Sequence, residues 1–258
     1  MTFRDKLAGR KFVITAEVSP PLSASADALI ARVAPLAGLV DAVNVTDAPA
    51  ARATMSSFAA AAILARHGLE PILQITCRDR NRIALAGDLL GAAAQGVENL
   101  LILHGDDPGV GDMPEAKPVY DLDSRGLMAL ARDMSNGALP SGRRIDPAPR
   151  FFIGCADTAV DPPADWQPNG LQAKIAAGAR FAQLQFCFDL DLARRYFARL
   201  QQTGIGEQLA FLVGVGPLLS ARQARHMRDN MFGIAIPDAI VERLDAAADQ
   251  RAEGLAPS

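Results

Sequence analysis

The 258-residue chain predicts an α/β fold of the (β/α)8 barrel class, on three observations. Short apolar runs recur at a step of about 30 residues, the length of one strand plus a returning helix. The segments between them carry helix start and stop residues. No GxGxxG turn follows the first run, which disfavours a doubly wound open sheet.

Strands are expected at Phe12–Val18, Ala42–Thr46, Pro71–Thr76 and Asn99–His104, then at Phe151–Ala156, Phe181–Phe186, Gln208–Gly214 and Met231–Ile236. Between them, Ser56 and Ser57 open an Ala-rich helix that closes at His67-Gly68. Asp189 opens DLARRYFARLQQTG, and Ser220 opens ARQARHMRDN. His67 and His226 read as helix residues. The one large irregularity separates the fourth and fifth strands. It holds the loop HGDDPGVGDMPEAKPVYD and an extra helix in SRGLMALARDM, together spanning about 105–150. Loops after barrel strands lie at the C-terminal face, where barrel enzymes place their chemistry. The expectation is one barrel domain over residues 1–258, with a frayed tail from about residue 251.

Composition narrows the function. With 26 Lys and Arg against 29 Asp and Glu, the net charge of −3 leaves no basic footprint for nucleic acid. Cys77, Cys155 and Cys187 are too far apart for a disulfide framework or a zinc knuckle, which points to a reducing cytoplasm. The N-terminal MTFRDKLAGRKF has no apolar core of a leader, and no apolar run has the length of a membrane span. A cytoplasmic enzyme without membrane attachment is expected.

Strand alternation locates the polar side chains. In the first strand Phe12, Ile14, Ala16 and Val18 form the apolar side, and Glu17 falls on the other. Asn44 and Thr46, Gln74 and Thr76, and Gln183 and Gln185 each share a parity in their strands. A barrel interior is normally filled by branched apolar residues. Amides and a carboxyl there form either a self-satisfied network or the floor of a pocket for a polar heterocycle, and agreement among four strands favours the pocket.

Four motifs at strand ends carry candidate chemistry. Glu17, just before Ser19-Pro20-Pro21, is either a general acid in the barrel mouth or the partner of a loop Arg. In HGDDPG, Gly105 permits close backbone approach, Asp106 and Asp107 offer carboxylates, and His104 is a ligand donor or a structural residue. In CRDRN, from Cys77 to Asn81, Asp79 is placed to cap a helix, and the arginines either meet a phosphate or form a solvated cluster. GVGP, from Gly214 to Pro217, serves ligand approach or turn geometry. Cys77 and Cys187 fall on the outward parity, as packing residues.

The segments ITAEVSPP, NVTDAPAARATMSS, ILQITCRDRNRIALAGDLLGA, GVENLLILHGDDPGVGDMPEAKPVYDLDS, KIAAGARFAQLQFCFD and GVGPLLSARQARHM resemble, in order, those of methylenetetrahydrofolate reductases. The likeness runs from about Phe12 to Leu244 and is closest to the branch that includes reductase domains fused to homocysteine methyltransferases. It implies a stand-alone reductase, a (β/α)8 barrel that binds FAD, takes electrons from NADH or NADPH and reduces methylenetetrahydrofolate. By motif position, Glu17 matches the general acid, and Asp106 matches the Asp that contacts the pterin and tunes the flavin. Gln185 matches the pterin-binding Gln. Thr46, Gly105, Tyr120 and Lys174 match flavin-contacting positions, with Gln74, His104 and Asp157 at further cofactor positions.

The sequence departs from the family pattern at several of these places. Gln74 stands where the family has His, and His104 where it has Arg or Thr. CADTA replaces a stretch with Tyr and His after the fifth strand, and Ala173 stands where an Arg is usual. A flavin-independent reductase passing hydride directly from NADH, and a non-catalytic folate-binding or subunit-type barrel, therefore stand beside the FAD enzyme. A homo-oligomer or a partner subunit fits each of them.

Overall fold

A computed structural model describes residues 1–255 of the chain. Its contacts group into two compact units, Met1–Cys155 with Ala173–Arg180, and Ala156–Gln172 with the described part of Phe181–Ser258. Seven strands are described, β1 (Thr15–Val18), β2 (Ala42–Val45), β3 (Pro71–Thr76), β4 (Asn99–Leu103), β5 (Phe152–Asp157), β6 (Phe181–Phe186) and β7 (Ala210–Gly214). The principal helices are α1 (Phe3–Ala8), α2 (Ala26–Val33), α3 (Ser57–Arg66), α4 (Arg82–Ala94), α5 (Ser124–Ser135), α6 (Asn169–Ala177), α7 (Leu190–Gln202), α8 (Ile205–Gln208), α9 (Ala221–Asn230), α10 (Asp238–Ala246) and α11 (Gln250–Leu255). Parallel strands joined in sequence by helices make this an α/β fold of the barrel class.

In the first unit, β1 to β5 pair in sequence order, all parallel. The interior sides of β2 and β3 are closed off completely, because every residue of both strands is buried. Val43, Val45, Ile72, Leu73, Ile75 and Leu100 form the apolar centre. Helix α1, which the strand period does not foretell, closes the N-terminal ends of the strands. A capping box between Thr2 and Asp5 starts it. The Phe3 N–H then donates to both Glu70 carboxylate oxygens at 2.9 and 3.0 Å, and Asn99 Nδ2 donates to the same carboxylate at 3.0 Å. Those bonds satisfy the buried Asn99 far from the C-terminal strand ends.

The second unit pairs β6 with β7 in parallel. Its core gathers Leu218, Ala221, Ala224, Met227, Ile234, Ile236, Val241 and Leu244, with Phe186 and Phe188 packed against them. Asp189 and Ser220 cap α7 and α9 by accepting from Leu192 N and Gln223 N at 2.9 and 3.1 Å, as their positions predict.

Four expectations need correction. The first strand begins at Thr15, and Phe12 and Ile14 are 88% and 50% exposed rather than packed under helices. The eighth strand, Met231–Ile236, is reduced to one parallel bridge between Ala235 and Cys187. Its Gly233 takes φ +77, outside the extended region, beside Thr158, so the run cannot stay pleated. Residues 250–255 form a helix where fraying was expected, and 256–258 lie outside the described residues. Finally, Asn81 caps α4, accepting from Ile83 N and Ala84 N at 3.1 Å, because Asp79 is held by Arg78 instead.

Among the described residues no helix is long and apolar enough to cross a membrane. Burial, with the Asp123 charge adding to it, pushes the Cys77 thiol up to about 11. At pH 8 a thiol reagent is therefore expected to leave Cys77 unlabelled in the folded protein and to reach it after denaturation, as read by mass spectrometry. Labelling of native Cys77 as fast as of an unfolded thiol would contradict this packing.

Candidate functional site

The first unit assembles a polar face at the C-terminal ends of β1 to β4. Glu17 and Asn44 are register partners, so their side chains leave the sheet on the same side. Gln74 and Thr76 follow on β3 with the parity that Ile72, the partner of Asn44, defines. Asn44, Thr46, Gln74 and Thr76 are each 5% exposed or less, whereas Glu17 is open to solvent. Gln74 Nε2 donates to Glu17 Oε2 at 2.8 Å, which joins two of the sequence-predicted site residues directly. Thr46 Oγ1 donates to Ser19 Oγ at 3.2 Å.

The loop after β4 brings in three more predicted residues. The His104 imidazole and the Tyr120 ring stack, with centroids 4.5 Å apart and planes within 6°. Tyr120 also donates its hydroxyl to the Gly105 carbonyl at 3.3 Å, and burial pushes its phenol up from the ordinary value. The Asp106 carboxylate is exposed and accepts from Ala50 N at 2.7 Å. That amide lies in a turn where Ala48, Ala50 and Ala51 all have φ near +50, so the Asp106 bond holds a strained backbone in place. Asp107 caps the short turn that follows, accepting from Gly109 N at 2.8 Å.

Two residues hold this framework together, and the sequence did not mark them for that task. Arg78, 2% exposed, grips the Asp79 carboxylate with Nε and Nη2 at 2.7 and 2.8 Å. Its Nη1 reaches the carbonyls of Ala48 and Asp106 at 3.3 and 3.4 Å. The hydrogen bond to Asp79 raises the Arg78 guanidinium above its ordinary value. Asp47 accepts from Thr76 N, Thr76 Oγ1 and Ser57 Oγ at 2.9, 3.0 and 3.0 Å and pairs with Arg80. Arg82 pairs with Asp121, whose carboxyl that bond holds down to about 2. The CRDRN arginines and Arg82 are thus engaged within the protein rather than offered to a phosphate. The signal for Asp47 was its place directly after the strand-end Thr46.

Lys174 lies half-buried on α6 within the first unit. Gln185 and Asp157 belong to the second. There the Gln185 amide is folded back, with Nε2 donating to the Phe232 carbonyl at 3.3 Å and Oε1 accepting from Phe186 N at 3.0 Å. Asp157 accepts from the Tyr196 hydroxyl. In GVGP, a Cβ at Gly214 would stand 2.6 Å from the Leu184 carbonyl oxygen, so close protein packing requires that glycine. A cavity of about 500 Å³ lies elsewhere, between α4 and residues 139–150, and contains none of the predicted site residues.

The first unit gathers a hydroxyl, an amide, an imidazole and a peptide group at Thr46, Gln74, His104 and Gly105, kinds of group with which a flavin ring can pair. Of these, the Thr46 hydroxyl, the Gln74 amide and the Gly105 carbonyl are already bonded to Ser19, Glu17 and Tyr120. Gly105 itself, at φ +98, leaves no room for a side chain, since a Cβ would sit 2.9 Å from Arg78 Cβ and 3.1 Å from Thr76 Cβ. Gly105→Ala is expected to destabilise the chain by about 2 kcal/mol through strain and overpacking, as measured by urea unfolding. An unchanged midpoint and slope would show that the loop is not seated this way.

The family profile described as methylenetetrahydrofolate reductase matches residues 2–254. "Probable methylenetetrahydrofolate reductase (NADPH)" of Caenorhabditis elegans is 24% identical over 198 residues, which cover 75% of this chain and 27% of that protein. "5,10-methylenetetrahydrofolate reductase" of Salmonella typhimurium is 29% identical over 191 residues, covering 72% of this chain and 57% of its own length. The chain thus spans about a quarter and rather more than half of these relatives. In fold, tryptophan synthase from M. tuberculosis in its aminoacrylate-bound form aligns with a TM-score of 0.50 at 14% identity, over 94% of this chain and 90% of that one.

Proposed function

The chain belongs to the methylenetetrahydrofolate reductase family, and we propose that it reduces 5,10-methylenetetrahydrofolate to 5-methyltetrahydrofolate with NADH or NADPH. The observation that carries this reading is the Glu17–Gln74 hydrogen bond on a face of buried amides and hydroxyls. An exposed carboxyl anchored by one oxygen has a fixed direction and a second oxygen left for proton transfer.

In this reading Glu17 gives its proton to the amine of the folate imidazolidine ring. Ring opening leaves an iminium ion, and hydride addition to it completes the methyl group. Asp106 recognises the pterin, whose aminopyrimidine edge pairs with a carboxylate. Asp106 has one carboxylate oxygen on Ala50 N, which fixes its direction while the other remains for the substrate.

FAD is the cofactor we propose, held on the first unit by Thr46, Gln74, His104, Gly105 and Tyr120, with Lys174 as a further contact. When bound, it would relay two electrons between the nicotinamide and the folate. The engagement of Arg78, Arg80 and Arg82 in internal ion pairs takes three cations away from the cofactor phosphates, and that favours one second reading, direct hydride passage from NADH to folate. An absorption spectrum of the purified protein separates the two, with a flavin band expected for the first.

Glu17→Gln is expected to abolish NADH-linked formation of methyltetrahydrofolate, a loss of at least about 100-fold. Oxidation of NADH by an artificial electron acceptor should persist in the same variant. Folate turnover near the wild-type rate would remove Glu17 from the chemistry.

A further inference from the structure

Asn44 carries a side-chain oxygen that the proposed reaction does not use. It is 2% exposed, and its Oδ1 is closed to solvent with no hydrogen-bond partner among the described residues. A buried amide oxygen without a donor costs free energy, so such an atom calls for an explanation. Its register neighbours are Glu17 on β1 and Ile72 on β3, and only Glu17 has a polar side chain. Adjacent strands lie about 4.8 Å apart, which puts the carboxyl of the longer Glu side chain within reach of the Asn amide. The nearby Thr46 hydroxyl gives its proton to Ser19.

A carboxylate only accepts, so beside an ionised Glu17 the Asn44 oxygen has nothing to accept from. A carboxylic acid has one O–H to donate. The Gln74 amide already marks Glu17 Oε2 as the accepting, carbonyl-like oxygen, which leaves Oε1 for the proton. A donor brought by a ligand fits less well. Glu17 is open to solvent, while Asn44 Oδ1 beside it is sealed, so its donor comes from the protein side.

We propose that Asn44 Oδ1 accepts the hydrogen bond of the Glu17 carboxylic proton, making Asn44 a positioning residue for the general acid. The proposal rests on the reading of Glu17 as that acid. Gln74 and Asn44 then hold the two carboxyl oxygens in different roles, and the proton occupies a defined oxygen before substrate arrives.

Infrared spectra of the whole chain test this without relying on turnover. At the lowest pH at which the chain stays folded, the wild-type spectrum minus that of Glu17→Gln isolates the protonated Glu17 carbonyl band. Asn44→Leu, matched in size, should move that band to higher wavenumber, because the O–H loses its acceptor. Asn44→Ser keeps an acceptor oxygen and should leave the band near its wild-type position. Asn44→Ala serves as the second variant should the Leu variant fail to fold. Folate reduction is expected to fall about tenfold in Asn44→Leu and to recover in Asn44→Ser. A Glu17 band that stays in place in both the Leu and Ala variants overturns the proposal. A band that moves in a protein whose wild type makes no methyltetrahydrofolate upholds the Asn44–Glu17 pair and overturns the reductase reading instead.

Discussion

The hydrogen bond from Gln74 to Glu17 is the constraint around which the candidate site is arranged. It links the edge strand β1 to the fully buried β3 across β2, and it turns a flexible, solvent-facing carboxyl into a directed one. Isolated in an apolar sheet, Gln74 would be a burden at 5% exposure. Here its amide donates to a carboxyl oxygen, and that bond offsets the desolvation of the buried amide. On this polar floor Glu17 satisfies the Gln74 amide, and the same bond sets the geometry in which Glu17 meets a substrate.

Around that pair, the loops are held by buried charge. Arg78 reaches the backbone of two loops, at Ala48 and Asp106, while Asp47 gathers Thr76, Ser57 and Arg80. Breaking one half of such a buried set leaves the other half uncompensated, which makes it rigid. Rigidity is what the turn at Ala48 to Ala51 needs, since three alanines there have left-handed φ. The Ala50 amide donated to Asp106 is therefore presented by strain that Arg78 and its neighbours maintain.

Much of this was legible in the chain. The spacing of apolar runs gave β3 and β6 to the residue and β2, β4 and β5 to within a residue at either end. Parity placed Asn44, Thr46, Gln74 and Thr76 on one side, and the strand register, which pairs Asn44 with Ile72, agrees. The misses have physical causes. Phe12 and Ile14 have the residue types of a strand, but the paired register with β2 begins only at Thr15. Met231–Ile236 is apolar enough for a strand, and one glycine at positive φ overrides that pattern. The arginines of CRDRN could not be assigned from composition, because an Arg next to an Asp reads alike whether it faces solvent or, as at Arg78, is buried. Orphaned atoms such as Asn44 Oδ1 have no sequence signal, since they depend on which neighbour the register supplies.

The central claim is that Gln74 and Glu17 act as one unit in turning over folate. A double-mutant cycle of Glu17→Gln and Gln74→Leu on kcat/KM for folate reduction tests it most directly. Coupling of about 1 kcal/mol or more, with the double variant little worse than Glu17→Gln alone, is the expected result. Effects that simply add would mean that the 2.8 Å contact does not serve the chemistry.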